Sequence, residues 1–339
     1  MFNLPFIDKI LCALINNRKK LLFNDKINCI LTPALFIFFT LIITTKEHIG
    51  SPINCILPSE FKSSGWDQYI LNFCFMNNVY HIPINQSIPQ NNSYRSDKSF
   101  SYYPWIPIIL SLESLLFYLP FQLWLFCTNL TIIDYENTWL IGKNCKEYAS
   151  CCNEKLKGRN FYNTTYFTFI YFSIKILYIL NVVFQFTILS KLLGFNYFEW
   201  GFLFLFAQTD DPFPYVNFCD FHLCTLANIQ IYSVQCFYSI NLLNKIVFIS
   251  LWIWLVILFA LNLFCIASWL VMISSYYRIR LFKKYFRKST ARNFVSFISL
   301  DLYMLIIFIS KTENFFVAND FILLLHELYI DESFIDDIV

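Results

Sequence analysis

The chain has 339 residues, of which 57% are hydrophobic and only 14% are charged. Soluble proteins carry about 25% charged residues, so the composition excludes an ordinary soluble globule. The same hydrophobicity, with a net charge of only +2, excludes a disordered chain and gives no reason to expect a nucleic acid as partner. We therefore expect a membrane protein.

Four apolar stretches are long enough to cross a bilayer, which takes about 20 residues in a helix. They are Ile27–Thr45, Ser99–Ile133, Asn160–Ser190 and Ile246–Tyr277. Continuous runs of this kind argue against a β-barrel, whose strands show alternating segments of about ten residues. The predicted fold class is an all-α membrane protein, a four-transmembrane-helix bundle.

Lys and Arg predict how this bundle is oriented. They concentrate before the first stretch, between the second and third, and directly after the fourth. The positive-inside rule then places both termini and the middle loop in the cytosol. We expect an N-terminal cytosolic segment at 1–26, spans at 27–45, 100–127, 166–190 and 246–273, extracellular loops at 46–99 and 191–245, and cytoplasmic segments at 128–165 and 274–339.

The two cytosolic ends carry shorter helical patterns. Four residues recur at helical spacing near the N-terminus, Leu4, Ile7, Leu11 and Leu14. They predict a short amphipathic helix that either lies on the inner leaflet or folds into the protein. In the tail, Leu302–Ser310 and Phe321–Leu325 are too short to span and indicate buried helices of a small cytoplasmic subdomain.

Five of the twelve cysteines fall in the predicted extracellular loops, where disulfides are the default: Cys55, Cys74, Cys219, Cys224 and Cys236. Five is odd, so at least one stays unpaired or pairs between chains. Disulfides between the loops would staple them into one cap suited to docking, whereas disulfides that only stabilise the loops fit the composition equally. On the cytosolic side, Cys151–Cys152 has no His at zinc spacing, which favours free thiols over palmitoylation or metal binding.

Other polar residues give few indications of chemistry. Asn85 and Asn91 head glycosylation sequons in the first extracellular loop. The histidines show no metal-ligand spacing, and a phosphate-binding Gly-rich loop and a nucleophile elbow are both absent from the sequence, so we expect neither an enzyme nor a cofactor or metal. Glu113 and Lys175 stand near mid-span, where isolated charges are costly. Either they pair across spans two and three, or Lys175 snorkels while Glu113 faces a water-filled lumen.

Several segments resemble the innexin family over nearly the full length. Ser101-Tyr-Tyr-Pro-Trp-Ile-Pro107 is similar to the YYxWxP segment that opens the second innexin span. Similar segments flank the loop cysteines, namely His48–Cys55, Phe213–Phe221, Tyr232–Cys236 and, at the entry to span four, Ile240–Asn244. Three residues depart from the pattern: Cys224 stands where a basic residue is usual, Glu113 replaces a neutral polar residue, and Leu302 follows Asp301 where the family often has Gly.

The resemblance implies a gap-junction channel whose subunits form a ring, an octamer where structures are known, that docks with a ring on the adjacent cell. It implies disulfides Cys55–Cys236 and Cys74–Cys219. It favours an N-terminal helix folded into the cytosolic pore funnel, with Met1, Phe2 and Asn3 nearest the constriction. Weaker pore-lining candidates are Thr40, Thr44, Lys46 and Glu47.

The expected function is passive passage of ions and small molecules through a wide pore, at gap junctions of the plasma membrane. An undocked hemichannel that releases solutes such as ATP is the alternative within this class. A non-conducting four-span adhesion or scaffold protein is the alternative outside it. Expected partners are further copies of the chain, other innexins and membrane lipids. The basic segment Arg278–Arg292 suits anionic lipid, although topology alone explains its position.

Overall fold

A computed structural model describes residues 21–61, 65–76, 79–82, 99–100, 103–129, 165–206, 212–225, 228–312 and 315–336. Several predictions concern residues outside these ranges. They are the N-terminal helix with Met1, Phe2 and Asn3, the sequons at Asn85 and Asn91, and the Cys151–Cys152 pair.

The described chain is mainly helical. In chain order the helices are α1 (Phe23–His48), α2 (Trp66–Met76), α3 (Ile106–Asn129), α4 (Tyr166–Leu193), α5 (Tyr197–Phe206), α6 (Ile240–Ile273), α7 (Ser275–Phe282), α8 (Lys288–Phe297), α9 (Leu300–Thr312) and α10 (Phe315–Asp336). Helices α1, α3, α4 and α6 are long and apolar enough to cross a membrane. The predicted four-span architecture is confirmed.

Helix α1 begins earlier than predicted and changes its winding near the start. Residues Ile27–Leu31 form a π-helical turn, after which the α-helix resumes at Thr32. Pro33 follows directly, and its ring lacks an N–H and clashes with the carbonyl four residues earlier. A locally widened turn accommodates that clash without ending the helix.

Five strands, which the sequence analysis did not predict, connect the two segments that were expected to be extracellular loops. They are β1 (Ile53–Ile56), β2 (Val79–Tyr80), β3 (Ser99–Phe100), β4 (Val216–Thr225) and β5 (Asn228–Tyr238). The antiparallel order is β1-β5-β4-β2-β3. Along β5, buried Val234, Cys236 and Tyr238 alternate with exposed neighbours, as the period of two in a strand requires.

The chain divides into two compact units. The first draws on Met1–Leu31, Phe117–Asn181 and Phe259–Val339, and the second on Thr32–Leu116 and Val182–Leu258. The second unit contains the sheet and α2. The core of the first unit includes α9, in which every residue from 301 to 309 is buried.

The tail helices coincide with the apolar runs that predicted them. Asp301 at the start of α9 is buried, and its carboxylate accepts hydrogen bonds from the backbone N–H groups of Phe167 (3.0 Å) and Thr168 (2.9 Å). It also accepts one from the Thr168 hydroxyl (2.6 Å). The first turn of α4 is thus capped by a side chain more than 130 residues away in the sequence.

Candidate functional site

Two disulfides hold the sheet of the second unit together. Cys55 of β1 lies directly opposite Cys236 of β5 and is bonded to it, with Cα atoms 3.9 Å apart. Cys74 of α2 is bonded to Cys219 of β4, with Cα atoms 5.7 Å apart. These are the pairs that the innexin resemblance implies, and each joins the first predicted extracellular loop to the second.

The two disulfides are packed side by side. The Sγ atoms of Cys55, Cys74 and Cys236 lie within 4.8 Å of one another. Three clustered sulfurs are a possible metal-ligand set, but here all three are in disulfides, and only thiolates bind metal. The cluster is therefore a covalent brace at the centre of the sheet.

A buried aromatic network surrounds this brace. The Tyr238 hydroxyl donates a hydrogen bond to the Cys74 carbonyl (2.8 Å), and its ring stacks on that of Tyr103, with centroids 5.1 Å apart. The Asn241 amide donates to the Tyr103 hydroxyl (2.9 Å) and to the Pro214 carbonyl (2.6 Å). Burial raises the pKa of Tyr238, so it remains a donor at any physiological pH. Tyr103 of the YYxWxP segment thus helps to hold the end of β5 and the residues before β4 against the first turn of α6.

The β4–β5 hairpin extends beyond the brace and presents apolar side chains. Its strands stay paired as far as Thr225 and Asn228. Near this end, Ile229 is 64% exposed and Ile231 46% exposed. Cys224, opposite Ile229, is exposed and forms no disulfide with any cysteine of the described ranges. The hairpin therefore carries an apolar, solvent-facing surface on a rigid support.

The base of the hairpin is fixed by polar and aromatic contacts. The Asp220 carboxylate accepts hydrogen bonds from the Tyr80 hydroxyl (2.9 Å) of β2 and the Ser233 hydroxyl (2.6 Å) of β5. Phe61 packs edge-on against both Phe221 and Tyr232, with centroids 5.8 Å and 5.2 Å away. These contacts limit bending of the hairpin where it leaves the sheet.

The pore-lining candidates of α1 have intermediate exposure and do not share one face. Helical spacing places Thr40 and Glu47 on the same side as buried Phe36 and Ile43, with Thr44 and Lys46 flanking that side. The most exposed side of α1 carries other residues, among them Ile37, Phe38, Leu41 and Thr45.

Of the two alternatives for Glu113 and Lys175, the pair across the second and third spans is excluded, because Lys175 has another partner. The Lys175 ammonium is buried and forms an ion pair with Asp25 of α1. The rings of Tyr171 and Tyr178 lie beside it, with centroids 4.9 Å and 5.8 Å from Nζ. Lys175 therefore does not snorkel either. Glu113 is also buried, and within the described ranges neither carboxylate oxygen has a hydrogen-bond partner.

Three asparagines extend the polar cluster at the start of α1. The amide groups of Asn28 and Asn262 bond to each other in both directions, at 2.8 Å and 2.9 Å, and Asn24 donates to the same Asn262 oxygen at 2.9 Å. The sequence reasoning missed this cluster, because it ended the N-terminal segment at Lys26 and counted Asp25 as cytosolic. Polar residues at 24, 25 and 28 share a helical face, and that spacing was the available signal.

Comparisons with known proteins agree with these features. A family model described as Innexin matches residues 23–329. Innexin-3 of Caenorhabditis elegans is 30% identical over 284 residues, which cover 74% of this chain and 67% of the relative. Innexin unc-9 of the same organism is 29% identical over 283 residues, covering 73% of each chain. Innexin-11 is 28% identical over 316 residues, covering 80% of this chain and 67% of the relative.

Proposed function

The chain belongs to the innexin family of gap-junction channel proteins, and we propose that its copies form a ring that docks with a second ring on a neighbouring cell. Ions and small molecules would pass through the joined pore by diffusion, without covalent chemistry. The proposal includes the plasma membrane as location, cytosolic termini, and the octameric ring that the resemblance implies.

The observation that carries the docking proposal is the braced hairpin surface. Ordering a contact surface on binding costs free energy, and this cost is smaller when the surface is already ordered in the free protein. Here two disulfides and the Asp220 contacts hold β4 and β5 in place, while Ile229 and Ile231 stay exposed. Exposed apolar side chains on a rigid support are typical of protein–protein contact sites. A matching hairpin from the opposite ring would cover them.

Ring formation is supported by the membrane-spanning helices. Each exposes large apolar side chains on the single subunit, including Phe38, Leu115, Phe184 and Phe264. Neighbouring subunits and lipid would both cover such surfaces. We propose that the N-terminal residues Met1–Asn3 lie at the constriction, with Thr44 and Lys46 nearer the pore than Thr40 and Glu47, because the latter share the side of buried Phe36.

The decisive experiment measures electrical coupling between paired cells that express the chain. Cys55→Ser should abolish coupling, because it opens the brace between β1 and β5. Cys127→Ser is the matched control, since this cysteine of α3 forms neither described disulfide and lies outside the hairpin, and it should retain coupling. Normal coupling in Cys55→Ser would contradict the docking role of the braced hairpin, provided that surface expression is equal.

The same cells separate the alternatives. Conductance or dye uptake in single cells without coupling between pairs would indicate an undocked hemichannel. Neither coupling nor single-cell conductance, with normal surface expression, would indicate an adhesion or scaffold role. A mobility shift on glycosidase treatment would show whether Asn85 or Asn91 carries a glycan, a bulky group that would oppose docking.

A further inference from the structure

We propose that an anionic phospholipid of the inner leaflet binds in a pocket formed by the first turns of α1, the second half of α6 and the end of α9, with its headgroup at Lys311. The assignment rests on the proposed membrane orientation. It requires neither docking nor conduction.

The pocket has the size and lining of a lipid site. Its volume is about 490 Å³, within the range of roughly 300–1,000 Å³ that small-molecule sites occupy. All its lining residues belong to the first unit: Leu22, Phe23, Asn24, Ile27, Leu261, Phe264, Cys265, Ser268, Trp269, Met272 and Lys311. The lining is mostly apolar and comes largely from two spanning helices, so hydrocarbon is its natural occupant.

The pocket is reached from the surface of the subunit. Phe23 and Phe264, which line it, are 79% and 73% exposed. On the proposed orientation, the first turns of α1 and the end of α6 both lie at the cytosolic side of the membrane. The part of an inner-leaflet lipid's acyl chain that lies next to the headgroup would therefore be level with the pocket.

Lys311 gives the pocket a charge. It reaches the lining from α9, and its ammonium lies 4.7 Å from the centre of the buried Trp269 ring. No carboxylate of the described residues lies within ion-pair distance of Lys311, whereas Lys175 has its own partner in Asp25. A cation held against an aromatic ring at the membrane surface attracts an anionic headgroup, and the inner leaflet supplies such lipids.

Charge also bears on the choice of occupant. The residues directly before Leu21 in the sequence are Arg18, Lys19 and Lys20. A basic segment does not neutralise Lys311, whereas an anionic headgroup does. A neighbouring subunit in the ring is the remaining occupant, and the test below separates it from lipid.

The test uses the purified full-length oligomer in nanodiscs that contain phosphatidylserine with a photoreactive acyl chain. After illumination, mass spectrometry of peptides measures labelling of residues 261–272. Matched nanodiscs contain the same photoreactive chain on phosphatidylcholine. We expect phosphatidylserine to label this segment about fivefold more, the effect of one cation near the surface.

Four variants identify the cause of the labelling. Lys311→Gln should remove the preference for phosphatidylserine, whereas Lys311→Arg should keep it. Lys284→Gln is the control for general surface charge, because Lys284 is also exposed and basic but does not line the pocket; it should leave the preference unchanged. Ser268→Phe should reduce labelling by both lipids, because the ring would fill the pocket without changing its charge.

Three results would overturn the proposal. Equal labelling by the two lipids, or an unchanged preference in Lys311→Gln, would exclude the headgroup site. Absence of labelling from residues 261–272 in an intact wild-type ring would show that a neighbouring subunit covers the pocket. Gel filtration of each variant confirms that the ring has assembled before the comparison is made.

Discussion

Replacing Asp301 by alanine should detach helices α9 and α10 from α4. The change removes the carboxylate that accepts hydrogen bonds from the buried backbone N–H groups of Phe167 and Thr168 and from the Thr168 hydroxyl. Hydrogen bonds to a charged group contribute about 1.5–3 kcal/mol each. Burial opposes part of this gain, because it raises the pKa of Asp301 by disfavouring the carboxylate.

The net loss for Asp301→Ala should therefore be about 2–4 kcal/mol, more than the ~1 kcal/mol of an ordinary helix cap. Thermal unfolding of the purified oligomer measures it, and limited proteolysis shows whether α9 and α10 become accessible. Asp320→Ala, which removes an exposed acid from α10, is the control and should change neither. The reasoning fails if the two variants have the same melting temperature and the same digestion pattern.

Three further outcomes follow from the described contacts. Lys175→Met should destabilise the protein by about 3–5 kcal/mol in thermal unfolding, because it leaves Asp25 buried without a counter-charge, and adding Asp25→Leu should restore much of the loss. Burial lowers the pKa of His326, which stacks on Phe286, below its ordinary 6.5. The neutral ring therefore stabilises the fold above pH 6.5, and this stabilisation is lost as the pH falls through the lowered pKa. His326→Phe should reduce the decrease in melting temperature between pH 7 and pH 5. A membrane-impermeant maleimide added to intact cells should label Cys224, and cell pairing should reduce that labelling if the hairpin docks.

Each of these outcomes has a contrary result. A double variant no more stable than Lys175→Met would refute the ion-pair account. An identical pH dependence in wild type and His326→Phe would exclude that histidine as the titrating group. Labelling of Cys224 only after permeabilisation would reverse the proposed orientation.

The spanning helices could be predicted because their signal is local. Some twenty consecutive apolar residues suffice, and α3, α4 and α6 coincide with the stretches that predicted them. The start of α1 could not be placed in this way, because Asp25 counts as a charge that ends an apolar run. Only the folded chain shows that Lys175 neutralises it, and this partner is 150 residues away.

The sheet was missed for a related reason. Strand β5 alternates buried and exposed residues, but β1 has four residues and β2 and β3 have two each, too few for a periodic pattern. Their conformation depends on pairing with distant strands, as for Cys55 opposite Cys236. The cysteine pairs themselves were available only through the resemblance to innexins, since five cysteines allow several pairings.

The disulfide connectivity has a consequence for proteolytic cleavage of the backbone between Cys74 and Cys219. Both bonds link the first half of the sequence to the second, across 181 and 145 residues. A protease that cleaves between Thr128 and Thr165 would therefore leave two polypeptides that migrate as one band on a non-reducing gel. Added dithiothreitol would release them, so the two halves of the subunit remain a single covalent molecule even when the backbone between them is severed.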